Sequence, residues 1–476
     1  MNVLDHEKLH QKYFEEMTRI PHGSYHEEQY ADYLEAFAKE HGLSYVRDNM
    51  NNVIIYKPAS KGYEGHGAVI LQAHTDMVCE KNNDCAHDFE KDPLKLYIED
   101  GILRAEGTTL GADDGTGCAY MLALLASDEP HPPLECVFTV QEEVGLIGAF
   151  ALKSEYFKGK RYVNLDFGGH GIGTCITSAG GEMIDLKKNV ELETANASAY
   201  RLFVTGLRGG HSGGCIAMEL GNALKVAGRI LNAVKEVAPV RIGALCGGEK
   251  SNAIPRECEA IFACAGSETK IRKAAEEMSA KIKKELRAQE PGLSIELEAC
   301  NAGTLLSEAQ SDEILKMFLL FPTGVRHMSV EIEGLPTASE NLAAVRLENG
   351  SLVFKYSLRA EKMSLRDEME AELLALAGLF GMEAEVSSRY PAWEFNPSSA
   401  MRETLTRVYK EHRGTEMELL ATHGGLECGV FCDMIPGLDV VTLGPETDGA
   451  HTPKEQMNLE SFDKTYELLK AFLKEL

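Results

Sequence analysis

The sequence is short of positive charge. It has 476 residues, with 48 lysines and arginines against 74 aspartates and glutamates, which gives a formal net charge of -26 at pH 7. A surface with this imbalance repels phosphate backbones and acidic membranes, so we expect no nucleic-acid partner. The surplus carboxylates keep the protein in solution and can also hold cations.

Long apolar runs are also missing. The longest, CAYMLALLA at residues 118–126, is far shorter than the roughly 20 apolar residues that span a bilayer, and it fits a buried helix. The first residues, MNVLDHEKLHQKYFEEM, have no apolar segment of the signal-peptide type. We therefore expect a cytoplasmic protein with no membrane partner.

Paired cysteine motifs are absent too. The twelve cysteines are scattered, and none forms a CxxC pair, so zinc-ribbon and thioredoxin chemistry have no support. In a reducing compartment we expect most of them to be unpaired, small core residues.

The order of apolar segments predicts an α/β fold. Helices that alternate with continuous apolar strands are typical of a mostly parallel sheet covered by helices on both faces. The predicted helices cover residues 5–19 and 25–41, the segment after Asp114, 401–412 and the C-terminal LESFDKTYELLKAFLKEL, and the predicted strands are 51–57, 67–76, 134–140, 162–166 and 438–444.

The pattern changes after about residue 186, where polar and apolar residues alternate as in half-exposed antiparallel strands. The order strand–helix–strand–strand–helix–strand predicts an α+β sandwich, and the region from 311 to 380 repeats that order more loosely. The sequence thus predicts an α/β domain at residues 1–186 and 387–476. It is interrupted at 187–386 by an α+β insertion of two similar sandwich subdomains.

Several apolar strands end in histidine or acidic residues. In an α/β sheet, functional residues gather at the carboxyl ends of the strands, where loops open onto a crevice. GAVILQA runs into His74-Thr75-Asp76, and the glycine-rich turn TTLGADDGTG carries Asp113 and Asp114 into a helix. The other polar strand ends are Glu142 and Glu143 after LECVFTV, Asp166 after YVNL, and His451 in PETDGAHTP.

Taken singly, each of these residues has an ordinary alternative. A strand-end histidine can be a hydrogen-bonded rim residue, Asp114 can cap a helix, and Glu142-Glu143 can be a solvated edge. Taken together, imidazoles and carboxylates on one rim suit a zinc-like divalent metal. Residues i and i+2 of a strand face the same way, so Asp76 can orient His74 or a metal-bound group. Two consecutive glutamates of a regular strand cannot both face one point, but at a strand end they can take different roles, so we expect one to bind metal and the other to handle protons.

Six motifs carry a resemblance to a known family. QAHTDMV, GTTLGADDGTG, TVQEEVGLIGA, GLRGGHSGG, SNAIPRE and HGGLECGVF, in this order, resemble the two-metal peptidase family of aminoacylases, glutamate carboxypeptidases and dipeptidases. HxD alone would be weak evidence, but several motifs at matching spacing are specific. The resemblance covers essentially the whole chain and is greatest for the branch of Xaa-His (aminoacyl-histidine) dipeptidases. It implies a zinc-peptidase-like catalytic domain interrupted by a lid.

The resemblance also implies roles around a metal centre. Asp113 would bridge two ions, Asp76 would orient the site, and Glu142 would be the general base for attack by a metal-bridged hydroxide. A cis peptide bond is implied between Asp113 and Asp114. The expected cofactors are two divalent metal ions, zinc in the first place, with cobalt or manganese as alternatives. The implied ligands are His74, Asp113, Glu143, Asp166 and His451.

Lid residues are implied in substrate binding. His211 in GLRGGHSGG would polarise the scissile carbonyl, although it can equally brace its own turn. Asn252 in SNAIPRE and Arg359 in KYSLRAE would bind substrate, with Arg359 suited to a bidentate grip on a free C-terminal carboxylate. Gly424 of the glycine pair before Leu426 could offer a backbone donor.

The expected function is therefore hydrolysis of short peptides, above all dipeptides including Xaa-His. The alternatives are a related amidohydrolase, namely an aminotripeptidase or an N-deacylase, and a non-catalytic metal-binding homologue. A monomer and a homodimer are both compatible with the sequence. After Asp166 the segment FGGHGIG lacks the serine and acids usual in the relatives, which leaves the substrate preference open, and His170 within it is expected to be solvated.

Overall fold

The structure is a computed structural model that describes residues 2–167 and 171–476, so His170 lies outside the described residues. The chain forms two compact units. Unit 1 consists of Met1–Ser178, Phe395–Ala421 and Leu426–Leu476, and unit 2 consists of Ala179–Glu394 and Thr422–Gly425.

Helices and strands alternate along the chain, as the sequence predicted. The helices are α1 Leu9–Met17, α2 Glu28–Glu40, α3 Ala112–Ala126, α4 Ile147–Ala151, α5 Ala223–Lys235, α6 Glu268–Glu285, α7 Glu308–Leu320, α8 Met363–Leu379, α9 Ala400–Arg413, α10 Glu427–Met434 and α11 Leu459–Lys474. The strands up to the end of unit 1's first segment are β1 Ser44–Arg47, β2 Val53–Lys57, β3 Val69–His74, β4 Leu96–Glu99, β5 Ile102–Ala105, β6 Leu134–Thr139, β7 Arg161–Asn164 and β8 Gly173–Ser178. The later strands are β9 Gly180–Asn189, β10 Glu193–Thr205, β11 Gly210–His211, β12 Val240–Gly247, β13 Ala253–Ile254, β14 Cys258–Cys264, β15 Ser294–Leu305, β16 Gly324–Met328, β17 Pro336–Glu348, β18 Ser351–Ala360, β19 Glu383–Tyr390, β20 Glu418–Thr422, β21 Asp439–Thr442, β22 Thr447–Asp448 and β23 Gln456–Asn458.

The central sheet of unit 1 has six strands in the order β1-β2-β6-β3-β7-β21. Strands β6, β3, β7 and β21 run parallel to one another, whereas β2 pairs antiparallel with β6 and β1 pairs antiparallel with β2. The predicted mostly parallel sheet is confirmed. Because the carboxyl ends of the parallel strands meet at one edge, residues that follow these strands are brought together there.

Strand β3 places its polar residues on one face. Its odd-numbered residues Val69, Leu71 and Ala73 pack into the main core of the unit, which contains residues of α1, α2, α3, α9 and α11. Alternation along a strand then puts Gln72 and His74 on the opposite face. His74 is 1% exposed, so the last residue of the strand is a buried imidazole at the sheet edge.

Unit 2 contains a sheet whose two halves have the same topology. The strand order is β15-β10-β14-β12-β17-β18-β9-β19, with β16 paired to β17. The first half follows the chain as β10-α5-β12-β14-α6-β15, and the second as β9-α7-β17-β18-α8-β19. In both halves the strands lie in the order fourth, first, third, second along the chain's numbering, counted from the outer edge of the sheet to its middle. The halves join antiparallel through their second strands, β12 and β17. The structural repeat predicted from element order is present. Its second half, however, takes its first strand, β9, from before the first half along the chain, and the two halves form one continuous sheet.

The larger predicted elements were found, but short ones were missed. Helix α5 begins at Ala223, where Asn222 accepts hydrogen bonds from the N–H groups of Leu224 and Lys225. The hairpin β4-β5, the strands β22 and β23, and helix α10 had no sufficiently long apolar pattern to predict them. No helix in residues 2–167 and 171–476 is both long and apolar enough to cross a membrane.

Candidate metal centre

The metal-ligand candidates of unit 1 meet at the carboxyl ends of its parallel strands. His74 ends β3, Glu142 and Glu143 follow β6, and Asp166 follows β7. Asp113 lies at the start of α3. His451 lies between β22 and β23 in a turn with a positive φ of 61°.

Asp113 stands between the two histidines. Its Oδ1 is 3.1 Å from His74 Nε2, and its Oδ2 is 3.3 Å from His451 Nε2. Asp166 Oδ1 lies 3.7 Å from His74 Nε2, and Glu143 Oε1 lies 2.8 Å from His451 Nε2. Each oxygen of Asp113 thus faces a different histidine and a different second carboxylate.

These residues form two groups that could each hold one ion. The ligand atoms of His74, Asp113 and Asp166 all lie within 4.8 Å of one another, as do those of Asp113, Glu143 and His451. One imidazole nitrogen and two carboxylate oxygens in each group are donors that zinc and similar divalent metals accept. The residues present therefore fit a pair of metal ions with Asp113 shared between them.

Glu142 lies at the edge of the same centre. One of its carboxylate oxygens is within 4.8 Å of a ring nitrogen of His74 and of an oxygen of Glu143. Burial raises the pKa of Glu142 well above its usual value, and the negative charges of Asp166, Glu427 and Glu143 raise it further against the opposing effect of His74. A carboxyl group with a raised pKa beside metal ligands is suited to proton transfer.

The two histidines neutralise the crowded carboxylates. Burial opposes ionisation of Asp113, but hydrogen bonds with His451 and His74 outweigh it and hold the pKa of Asp113 well below its usual value. Burial, with the charge of Asp113, raises the pKa of Asp166 to about 8. Hydrogen bonds with Asp113 and Glu143 raise the pKa of His451 to about 10. The carboxyl groups of Asp113, Glu143, Asp166 and Glu142 outnumber the two imidazoles, and divalent ions would supply further positive charge.

Asp76 contacts both the ring of His74 and the backbone of the two glutamates, Glu142 and Glu143. His74 Nδ1 is 2.9 Å from the Asp76 carbonyl oxygen and 3.6 Å from the Asp76 carboxylate. That carboxylate accepts hydrogen bonds from the N–H of Glu142 at 2.9 Å, the N–H of Glu143 at 3.3 Å and the hydroxyl of Ser24 at 2.8 Å. The peptide bond between Asp113 and Asp114 is cis, as the resemblance implied.

The lid candidates belong to unit 2, where Arg359 is the centre of a second cluster. Arg359 is buried, and its guanidinium contacts only neutral groups among the described residues: Tyr390 Oη at 2.9 Å, Ser212 Oγ at 3.4 Å, the His423 carbonyl at 3.5 Å and His211 Nε2 at 3.5 Å. A buried guanidinium that faces no carboxylate is suited to binding an anionic group of a ligand.

The tautomer of His211 follows from its own turn. Its Nδ1 accepts from the N–H groups of Gly213 and Gly214, both at 3.2 Å, so the proton of the neutral ring is on Nε2. Burial, with the charge of Arg359, lowers the pKa of His211. The Nε2–H of His211 and Nη2 of Arg359 are therefore two neighbouring donors, 3.5 Å apart, and an oxygen atom of a ligand could accept from both.

His423 adds a further imidazole to this cluster. Its Nε2 lies 2.7 Å from Ser339 Oγ, and burial, with the charge of Arg359, lowers its pKa to about 3. Two residues after His423, a side chain larger than that of Gly425 would not fit, because a Cβ there would lie 2.7 Å from Tyr390 Cε2.

The two other predicted substrate-binding residues are also in unit 2. Asn252 is exposed in a turn before β13, and its carbonyl accepts from the N–H of Ser212 at 2.8 Å. The N–H of Gly424 is already donated to Thr422 Oγ1 at 3.0 Å, and its carbonyl accepts from Ala179.

The structure brings together residues that sequence reasoning did not assign. In unit 1 these are Ser24, Gln72, Thr139, Glu427 and Glu455, and in unit 2 they are Ser212, Ser339 and Tyr390. Glu427, for example, is fully buried and accepts hydrogen bonds from Gln72 at 2.5 Å and Thr139 at 2.9 Å. It stands in HGGLECGVF, where a single acid within an apolar, glycine-rich segment is the signal that the sequence offers for it.

Comparisons with known proteins agree on one family. Residues 70–475 match the model of peptidase family M20/M25/M40. The chain is 36% identical to the cytosol non-specific dipeptidase of Escherichia coli over 470 residues, which cover 97% of this chain and 96% of that protein.

Solved structures agree with the sequence comparison. The aminoacylhistidine dipeptidase of Vibrio alginolyticus superposes with a TM-score of 0.91 at 32% identity, over 100% of this chain and 98% of that one. The aminopeptidase PepT of Bacillus cereus shares the fold with a TM-score of 0.55 at 18% identity, over 99% of each chain. The chain belongs to peptidase family M20/M25/M40.

Proposed function

We propose that this M20 peptidase hydrolyses dipeptides with a free C-terminal carboxylate, Xaa-His dipeptides among them, with two divalent metal ions. The observation that carries the proposal is the position of Asp113, whose two oxygens each complete a separate group of ligands. Such a shared carboxylate is what a two-metal hydrolytic site requires.

Five side chains of unit 1 would hold the ions. His74 and Asp166 would bind one, His451 and Glu143 would bind the other, and Asp113 would bind both. When bound, the ions would supply Lewis acidity for the peptide carbonyl and lower the pKa of a water molecule. Zinc suits these nitrogen and oxygen donors, and cobalt and manganese suit them as well.

Glu142 would be the general base of the reaction. Its raised pKa allows it to take a proton from the attacking water and to return that proton to the leaving amine. Asp76 would keep Glu142 in place, because its carboxylate accepts the N–H of Glu142 and that of Glu143.

The proposed substrate-binding residues are residues of unit 2. His211 would donate its Nε2–H to the peptide carbonyl oxygen, and Arg359 would grip the C-terminal carboxylate with two parallel hydrogen bonds. Asn252 would complete the set, whereas the expected backbone donor of Gly424 is already used, because its N–H donates to Thr422 Oγ1. A longer peptide has no carboxylate at the corresponding position, so this grip would select dipeptides.

The names of the relatives support the same substrate class. Both the Escherichia coli relative and the Vibrio alginolyticus structure are dipeptidases by name. The word cytosol in the first name supports a cytoplasmic location for this chain.

A substrate panel tests the proposal. Purified protein loaded with zinc, manganese or cobalt is given Xaa-His dipeptides, other dipeptides, tripeptides and N-acyl amino acids, and released amino acids are quantified. We expect the highest kcat/KM for dipeptides. Preference for tripeptides would indicate an aminotripeptidase, preference for N-acyl amino acids a deacylase, and metal binding without any hydrolysis a non-catalytic homologue.

A further inference from the structure

Glu455 is a buried acid that binds the backbone of the turn that leads into Asp113. It is 3% exposed. Its Oε2 accepts from the N–H groups of Leu110 at 2.7 Å and Gly111 at 3.0 Å, and its Oε1 accepts from those of Ala112 at 2.8 Å and Asp113 at 3.2 Å. Four consecutive amides therefore converge on one carboxylate.

The backbone of residues 110–113 makes this convergence possible. Gly111 has a positive φ of 70°, which turns successive N–H groups to the same side of the chain in a concave, anion-binding arrangement. Helix α3 begins at Ala112 within this turn, and its regular part follows the non-helical residues Asp113 and Asp114, so the partial positive charge of its N-terminus adds to the attraction. The Glu455 carboxylate thus gives these four N–H groups a negatively charged acceptor.

Glu455 also belongs to the segment that carries His451. The two residues are four positions apart, and the N–H of Glu455 donates to the Thr452 carbonyl at 3.0 Å within the same turn. His451 Nε2 approaches Asp113 Oδ2 from this segment, while Glu455 Oε1 holds the Asp113 N–H. Two contacts from one segment therefore fix both the side chain and the backbone of the same aspartate.

We propose that Glu455 is a positioning residue for the metal centre, which joins the His451 turn to the Asp113 turn and so sets the geometry of the group Asp113, Glu143 and His451. This inference rests on the proposed two-metal function. Glu455 does not contact the reacting atoms, and it acts through the ligands that it places.

The two metal groups depend on Glu455 to different degrees. His74 ends a fully buried strand, and its ring is held at Nδ1 by the Asp76 carbonyl. The side chain of His451 is 50% exposed, and it lies between strands of only two and three residues. Without Glu455 the His451 turn loses its main buried connection to Asp113, so the group that contains His451 should weaken more than the group that contains His74.

Glu455→Gln is the appropriate substitution. Glutamine has nearly the same shape, but one of its two terminal atoms is an NH2 group that cannot accept a hydrogen bond. That NH2 would face two backbone N–H groups and leave them buried without a partner. Glu455→Asp keeps the charge and shortens the side chain by one methylene, so it should have a smaller effect. Glu460→Gln, on the exposed side of α11, is the matched control.

The experiment is a metal titration of the full-length protein. Metal is removed with a chelator, and Zn²⁺ is added back in competition with a chromophoric chelator. We expect wild type and Glu460→Gln to bind two ions. We expect Glu455→Gln to lose about tenfold to a hundredfold in affinity for one ion, the range typical of partners that orient metal ligands, and to change less than threefold for the other. Added Zn²⁺ should restore part of its kcat, while KM for a dipeptide should change little.

Two results with Glu455→Gln would overturn the proposal: unchanged affinity for both ions, or an equal loss of affinity for both. If the metal-free Glu455→Gln protein does not fold, wild-type affinities in Glu455→Asp would overturn it. An intermediate loss at one ion in Glu455→Asp would support the proposal even if the glutamine variant does not fold. The wild-type titration and the substrate panel test the two-metal dipeptidase function separately, because the variant is judged only by its difference from wild type.

Discussion

The backbone N–H of Glu142 donates a hydrogen bond of 2.9 Å to Asp76 Oδ1. Asp76 follows the end of β3, and Glu142 follows the end of the neighbouring parallel strand β6. The proposed general base is therefore held by the residue that also contacts His74 through its carbonyl oxygen. One aspartate fixes a metal ligand and the base relative to each other.

Substituting Asp76 should weaken this arrangement without removing a metal ligand. In Asp76→Asn only one terminal oxygen remains to accept from Glu142, Glu143 and Ser24. We expect kcat for dipeptides to fall about tenfold to a hundredfold, with two metals still bound. Steady-state kinetics and metal analysis check this, with the exposed turn substitution Asp100→Asn as control. Unchanged kcat would show that the Glu142 turn is held without Asp76.

Substituting Glu142 should remove proton transfer. Glu142→Gln keeps the size of the side chain but cannot accept a proton, so kcat should fall by a factor of about 100 to 10,000. Metal content should stay at the wild-type level, because Glu142 belongs to neither of the two ligand groups that share Asp113. The exposed Glu155→Gln is the control, and wild-type turnover in Glu142→Gln would refute the role of the base.

Arg359 should determine the preference for a free carboxylate. We expect wild type to hydrolyse a dipeptide faster than its C-terminal amide, and Arg359→Met to lose this discrimination. The kcat/KM of Arg359→Met for the free dipeptide should fall by about tenfold to a hundredfold, which corresponds to a lost charge-assisted hydrogen-bond pair. The amide should be affected much less. Arg201→Met, which removes a half-exposed ion pair with Glu259, is the control. Equal losses on both substrates would contradict the carboxylate grip.

His423 should make the protein less stable at acidic pH. Burial, with the charge of Arg359, lowers its folded-state pKa to about 3, whereas an unfolded histidine titrates near 6.5. Between these values the unfolded state binds more protons, so the stabilisation that is present above about pH 6.5 is lost as the pH falls, by up to about 1.4 kcal/mol per pH unit.

A glutamine at this position does not titrate, so the thermal midpoint of His423→Gln should fall less than that of wild type between pH 7 and pH 4.5. Circular dichroism at several pH values measures the difference, and the exposed His412→Gln is the matched substitution. Equal slopes for wild type and His423→Gln would mean that His423 does not control this pH dependence.

Two helical glycines should respond oppositely to alanine. A Cβ at Gly117 in α3 would lie 2.6 Å from Leu165 Cβ and 2.8 Å from Ala73 Cβ, whereas a Cβ at Gly378 in α8 meets nothing within 4 Å. We expect Gly117→Ala to destabilise by about 1–3 kcal/mol through overpacking, and Gly378→Ala to stabilise by up to about 1 kcal/mol through helix propensity. Thermal unfolding of both variants provides the test, and a stabilised Gly117→Ala would show that β3 and α3 can separate without cost.

Much of the fold was predictable because its main elements carry long, regular patterns. The apolar runs of β3 and β6 and the periodicity of α2 and α11 gave correct positions, and the family assignment from motifs such as GADDGTG and QEE is confirmed by the match over residues 70–475. Short elements such as α10 were missed, because eight residues that begin after two glycines have too little pattern. The roles of the individual site residues stay predictions until the variants above are measured.

The sequence by itself determined which residues could carry the chemistry: the strand-end acids and histidines and the glycine-rich turns stand out from their apolar surroundings. Only the tertiary structure decided how they are combined. Asp113 and His451 are separated by more than three hundred residues. Their contact, and the contact of Glu455 with the Asp113 N–H, depend on how the β22–β23 segment packs in unit 1. Such contacts arise from the geometry of the folded chain, and no local pattern in the sequence encodes them.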